Sequence, residues 1–297
     1  MKRSNCRTDI RDGHVNEENE RLRLRKEKFS SKARAAILND PLKDRALLSR
    51  MSGNHEGIQE LQQNEDSREE FWKTIMLKYE QDPGSDLISH GLRKIREVIV
   101  SIFQSHLSDE RFLNFTLEVS TTSLDYYLDK GDISNIFICL EFVLYTLRPV
   151  MEYKHHLDEF SACYALYVSH VDNNIEKSLR LSTEYLKDTE YYQTCNNLSM
   201  IYCTRCYPPS KWFKIVSELL HGSLLRRFIM ALPSFELMKE STLALVSKCY
   251  NQIPLIFLEN GWFAGMFNNI EDTVSRTWDI ETKPSGNRVV IFKKRRS

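Results

Sequence analysis

The sequence predicts a mainly α-helical protein, a helical-repeat array of solenoid-like helix pairs followed by a C-terminal winged helix with a small β-hairpin. Three observations predict it. Only 10 Gly and 8 Pro punctuate 297 residues, too few for a sandwich or barrel of many short strands. From Ser67 onward, apolar residues recur at helical spacing in dense segments separated by short polar breaks. Near the C-terminus, the period shortens to two on either side of a Pro/Gly turn.

Residues 1–66 are polar and are expected to bury little, remaining mostly disordered or loosely helical. Within them, Glu17–Leu38 is rich in helix formers. Leu22, Phe29, Ala33 and Leu38 make a thin apolar stripe among Arg21, Arg23, Arg25, Lys26, Lys28, Lys32 and Arg34, which predicts a basic helix suited to an acidic surface.

Residues 67–250 form the predicted helical array. Phe71, Trp72, Ile75, Met76 and Tyr79 share one face, and Asp82-Pro83-Gly84-Ser85 stops that helix. Leu87 to Leu107 follows, with Leu92, Ile95, Ile99, Ile102 and Phe103 three and four apart. Phe112–Leu128 ends at Asp129-Lys130-Gly131-Asp132, where Gly131 suits a left-handed helix end and Asp132 caps the next helix, Ile133–Leu147, stopped by Pro149. Glu159–Val171, Ile175–Lys187, Tyr191–Tyr202, Trp212–Met230 and Glu236–Cys249 complete the array, their lengths suited to stacked helix pairs without a strict repeat motif.

Residues 251–297 form the predicted winged-helix part and a basic tail. Leu255–Phe267 reads as a helix. Thr277–Glu281 alternates, Lys283-Pro284-Ser285-Gly286-Asn287 turns, and Arg288–Phe292 is rich in β-branched residues, giving two strands and a wing.

The formal net charge of zero hides an asymmetry. Residues 1–50 carry 14 Lys/Arg against 8 Asp/Glu, residues 288–297 carry five basic and no acidic residues, and the intervening stretch is −11. Basic ends on an acidic body fit contact with nucleic acid or an acidic partner at the extremities. The phosphate-contacting candidates are Lys283 on the wing, Arg288, and the run Lys293, Lys294, Arg295 and Arg296, which also fits a nuclear-import signal. No 18-residue apolar run or signal-peptide pattern occurs, so neither a membrane span nor export is expected.

Reactive chemistry lacks a motif. Phosphate-cradling Gly loops, Gly-x-Ser-x-Gly and His-Glu-x-x-His are absent, and the carboxylates Glu141, Asp158 and Glu159 read as capping, ion-pairing or solvated groups. Cys203-Thr204-Arg205-Cys206 is a lone Cys-x-x-Cys with Cys195 upstream, short of the four ligands of a structural zinc. No catalytic residue, metal or cofactor is therefore expected; a zinc- or thiol-dependent enzyme at Cys195, Cys203 and Cys206 is the rival of another class. Cys139, Cys163 and Cys249 lie in helical apolar patterns and read as reduced core thiols.

Several short motifs occur in one order: Phe115-Thr116-Leu117-Glu118-Val119, then Leu128-Asp129-Lys130-Gly131-Asp132, then Cys139-Leu140 and Leu144-Tyr145, then Glu159-Phe160-Ser161-Ala162, Pro208–Phe213 and Tyr250–Leu258. With the Trp72–Leu92 entry helices and Arg25-Lys26-Glu27-Lys28-Phe29 upstream, the pattern over about residues 68–292 resembles the GANP-type branch of the PCI-domain superfamily, nuclear mRNA-export scaffolds and leukocyte-receptor-cluster-like proteins. It departs where Cys163 stands in place of the branch's Tyr after Ala162. The resemblance implies a non-enzymatic scaffold in transcription-coupled mRNA processing or export, nuclear and in part cytoplasmic. It further implies pairing with a second PCI-domain protein, a small acidic proteasome-associated peptide as a third member, and RNA or DNA bound at the winged end. The alternative within the architecture is a proteasome-lid or signalosome-type subunit that touches no nucleic acid.

Overall fold

The computed structural model describes residue 42 and residues 56–151, 154–267 and 269–293. The basic segment 17–38 and residues Lys294, Arg295 and Arg296 lie outside the described residues. The described chain is mainly helical, with one three-stranded antiparallel sheet. The described residues fall into two compact units, one up to Asp109 and one from Glu110 onward, so the helices of 67–250 are shared between them.

In the first unit, α1 (Glu56–Gln63), α2 (Glu65–Gln81) and α3 (Asp86–Ile102) run into a 3₁₀ turn, Phe103–Ser105. Part of the region read as burying little is core here: Leu61 and Leu42 are each 2% exposed. Asn64 divides α1 from α2, its side chain accepting from the backbone N–H groups of Asp66 and Ser67, so the helix-initiating N–H groups gain an acceptor. Arg68, buried on α2, donates to the carbonyls of Leu61 and Gln62 and satisfies the end of α1. Ser85 caps α3 after the Pro83-Gly84 turn. Gly91 allows a close approach: a Cβ there would lie 2.8 Å from Ile75 Cγ1 and 3.4 Å from Leu42 Cδ2. Gly91→Val should therefore destabilise by about 2 kcal/mol through overpacking, read from the midpoint of denaturant unfolding.

The second unit begins with α4 (Glu110–Lys130). As the sequence predicts, Gly131 takes φ 65° and Asp132 accepts from Asn135 N, starting α5 (Ile133–Phe142). That helix was expected to reach Leu147; instead its ladder widens into a π-turn, Val143–Leu147. Then come α6 (Asp158–His170), α7 (Ile175–Tyr185) and α8 (Tyr191–Thr204), which pack on one another. Helix α6 is buried almost all round, with Ala162, Cys163, Ala165, Leu166 and Val168 fully enclosed, the signature of a central helix.

The single helix expected over Trp212–Met230 is two, α9 (Pro209–Glu218) and α10 (Leu224–Ala231), because Gly222 at φ 80° turns the chain and Ser223 caps the restart. Proline at the first positions of α9 and α11 (Pro233–Cys249) is tolerated because those N–H groups have no intrahelical partner.

The expected helix Leu255–Phe267 is corrected to a shorter element. Gln252–Pro254 is strand β1, and only α12 (Leu255–Phe257) with a π-turn, Leu258–Trp262, is helical before α13 (Ile270–Ser275). Strands β2 (Asp279–Thr282) and β3 (Arg288–Ile291) form the predicted hairpin, and β1 adds on the far side of β3, giving the order β1-β3-β2. Ile253 and Ile280 both oppose the fully buried Val290. β1 escapes an alternation search because Pro254 ends it after three residues.

Candidate nucleic-acid and partner interface

Lys283, Arg288 and Lys293 are brought to one sheet. Gly286, at φ 79°, closes the β2–β3 turn, its N–H donating to the Lys283 carbonyl at 2.8 Å while Lys283 N–H donates to Asn287 at 2.9 Å. This puts Lys283 and Arg288 at the two ends of the turn. Lys293 follows β3, held by N–H bonds from Phe292 and Lys293 to the Asn251 carbonyl.

Each of these cations has a partner within the protein. Lys283 Nζ lies 3.4 Å from Glu281, Arg288 pairs with Glu271 on α13, and Lys293 Nζ donates to the Lys248 carbonyl at 3.1 Å, near the C-terminal end of α11 where carbonyls lack helical N–H partners. Such exposed pairs contribute only ~0–1 kcal/mol and do not lock the cations. They do set the field: residues 270–293 hold four acidic and four basic side chains, Glu271, Asp272, Asp279 and Glu281 against Arg276, Lys283, Arg288 and Lys293. Within a Debye length of roughly 8–10 Å, a phosphate would meet both signs. The unbalanced charge begins after Lys293.

A seam of rings joins this sheet region to the helices. Phe213 lies 5.0 Å from Phe263 and 5.7 Å from Phe267, and 6.0 Å from Phe235 on α11, with Trp212 and Phe213 on α9 fully buried.

Behind the seam is a polar chain that residue spacing did not single out. Ser178 donates to the Ala165 carbonyl and meets Ser199 at 3.0 Å; Ser199 donates to Ser169 at 2.8 Å, and Ser169 reaches His170 Nδ1 at 2.8 Å. Trp212 Nε1 donates to His170 Nε2 at 3.2 Å. An indole N–H only donates, so Nε2 accepts, and the neutral ring carries its proton on Nδ1, 3.1 Å from the Leu166 carbonyl. Burial pushes the His170 pKa down to about 4, because desolvation penalises the charged ring more than the Leu166 carbonyl favours it. The signal available in the sequence was Ser169-His170 closing an otherwise apolar helix.

Motif carboxylates also hold structure. Arg227 on α10 forks to Asp125 at 2.6 Å and Asp129 at 3.2 Å on α4, and burial of Asp158 is matched by Arg148 at 2.8 Å. Glu159 accepts from Leu225 N at 2.9 Å, capping α10 from α6.

The thiols occupy different environments. Cys195 is buried against the Ala162 carbonyl, Cys203 bonds the Ser169 carbonyl, and Cys206 is exposed. Burial raises the Cys203 pKa, and its place at the negative end of α8 further disfavours a thiolate. Among the described residues, no three His, Cys, Asp or Glu side chains converge as a metal site. Cys139 and Cys163 are buried as expected, whereas Cys249, expected in the core, is exposed because it sits on the outer face of the last turn of α11. No helix among the described residues is long and apolar enough to cross a membrane.

The chain matches no protein-family model, no curated protein and no solved structure. Fold and site together define a class: a helical protein carrying a small C-terminal sheet whose cations are paired with carboxylates or a backbone carbonyl.

Proposed function

We propose that this protein is a non-enzymatic scaffold of a nuclear complex in transcription-coupled mRNA processing or export, a divergent PCI-type chain of the GANP branch. One observation carries the reading. The order α11, β1, α12 with its π-turn, α13, β2, turn, β3, with sheet order β1-β3-β2, fits a winged helix appended to packed helix pairs. In this reading the winged end pairs with a second PCI-domain protein, a small acidic peptide of the proteasome-associated kind steadies the pair, and RNA or DNA meets the basic residues.

The charge balance refines which residues matter. Glu271 and Asp272 make α13 an acidic helix, unsuited to a nucleic-acid groove, so phosphate contact is assigned chiefly to Lys293, Lys294, Arg295 and Arg296, with Lys283 and Arg288 secondary. Full-length protein should bind single-stranded RNA with an affinity that falls as salt rises. Deleting 293–297 should remove most of that salt dependence, and binding that survives both changes would sink the assignment. The neutral wing favours the rival, a proteasome-lid or signalosome-type subunit without nucleic acid. Recovery of proteasomal subunits in place of mRNA-processing factors on affinity purification would establish it.

A further inference from the structure

Three of the exposed large apolar side chains fall around one cluster of rings. Ile138 on α5 is 53% exposed, Tyr145 on the π-turn 45%, and Val171 after α6 39%. Phe137 stacks 4.9 Å from Tyr167 and 5.8 Å from Tyr164, and Tyr145 meets Tyr164 edge-on at 5.6 Å. Tyr145 acts electrostatically on the Tyr164 hydroxyl, and on Tyr185 at the end of α7. The π-turn sets this arrangement: its extra residue per turn shifts Tyr145 around the helix relative to an uninterrupted α5.

Carboxylates rim the rings. Glu141 and Asp172 act on Tyr164, Asp172 acts on Tyr167, and Glu184 acts on Tyr185; all three carboxylates are exposed. Cations already favour these faces: Lys177 Nζ lies 5.9 Å from the Tyr164 ring centroid, and the Arg148 guanidinium 5.7 Å from that of Tyr185. Arg148 is balanced by Asp158. A phosphate backbone or an anionic membrane would be repelled here. An arginine or lysine finds both a ring face and a counterion, and an apolar neighbour finds Ile138 and Val171.

We propose that the surface built from Ile138, Tyr145, Tyr167, Val171 and Tyr185, rimmed by Glu141, Asp172 and Glu184, docks a peptide segment of a partner protein in which Arg or Lys side chains alternate with apolar ones. The inference is independent of the scaffold reading and of the basic tail. The test uses full-length protein and a fluorescein-labelled repeating Ala-Arg-Leu peptide, with a repeating Ala-Glu-Leu peptide as control, followed by anisotropy at low and high salt.

The Arg peptide should bind and the Glu peptide should not. Tyr145→Ala and the triple variant Glu141→Gln/Asp172→Asn/Glu184→Gln should each weaken binding by roughly tenfold, the scale of one to two cation–π or charge contacts. Tyr145→Ala can unpack Tyr164, so the triple variant, altered only at exposed side chains, decides the outcome alongside an unchanged circular dichroism melt. Equal binding of both peptides, or an affinity that the triple variant leaves unchanged, would overturn the proposal. So would binding that appears only when Arg21, Arg23, Arg25 and Lys26 are replaced by glutamate, which would make the chain's own basic stretch the occupant.

Discussion

Arg148→Ala should lower the stability of the second unit by about 3–5 kcal/mol, the cost of leaving one member of a buried ion pair alone. The Arg148 and Asp158 side chains are each 12% exposed and meet at 2.8 Å. The same guanidinium donates to Ser161 Oγ and to the Tyr185 carbonyl, tying the π-turn to α6 and α7. Its removal strands a carboxylate at the start of α6 and unsatisfies a carbonyl at the end of α7. At roughly 2–4 °C per kcal/mol for a unit of this size, the melting temperature should fall by roughly 6–20 °C in calorimetry. Replacing both partners, Arg148→Met with Asp158→Leu, should recover most of the loss, because the desolvation cost goes with the pair. A single substitution costing under ~1 kcal/mol would show that water reaches the pair and screens it.

Acidification should act through His170. Its pKa is about 4 in the fold and about 6.5 in the unfolded chain, so between those values the unfolded chain binds a proton that the folded chain refuses. The lowered folded value means that this stability is fully present above pH ~6.5 and is lost as pH falls toward ~4, about 3 kcal/mol in all. Protonation also gives Nε2 a hydrogen, which turns the Trp212 hydrogen bond into a clash of two donors. Urea melts at a series of pH values should show the decline, and His170→Phe should flatten it relative to wild type while being less stable at neutral pH. Parallel pH profiles for the two proteins would remove His170 as the cause. Because the carboxylates are common to both proteins, the difference between the profiles isolates the imidazole.

Much of the fold was legible locally. Gly131 and Asp132 fixed a helix end and a helix start because a left-handed glycine followed by a capping carboxylate has few other uses. The Pro284–Asn287 turn was legible for a similar reason, since Gly286 supplies the positive φ that a hairpin of this length needs. Breaks that depend on packing were not. Trp212–Met230 keeps helical spacing across Gly222, and β1 has only Ile253 facing the sheet, so neither the interruption nor the strand produces a period to detect.

The candidate site was legible in its residue types and misleading in its charge. Lys283 and Arg288 stand out in a list of basic residues; Glu281, two residues from Lys283, is a neighbour along the chain, but Glu271 reaches Arg288 only after α13 and the hairpin fold against each other. Likewise, Ser169, Ser178 and Ser199 are unremarkable until α6, α7 and α8 bring their hydroxyls within hydrogen-bond distance.

By itself, then, the sequence determined the helical class, the C-terminal hairpin and the basic character of the chain's ends, since backbone propensity, turn chemistry and formal charge are properties of neighbours along the chain. Tertiary structure alone decided which charges cancel, which thiols are buried, where Tyr145 joins the Phe137 and Tyr164 rings, and why His170 is neutral. Those outcomes depend on desolvation and on distances of a few ångströms between residues far apart in sequence, and no local pattern encodes them.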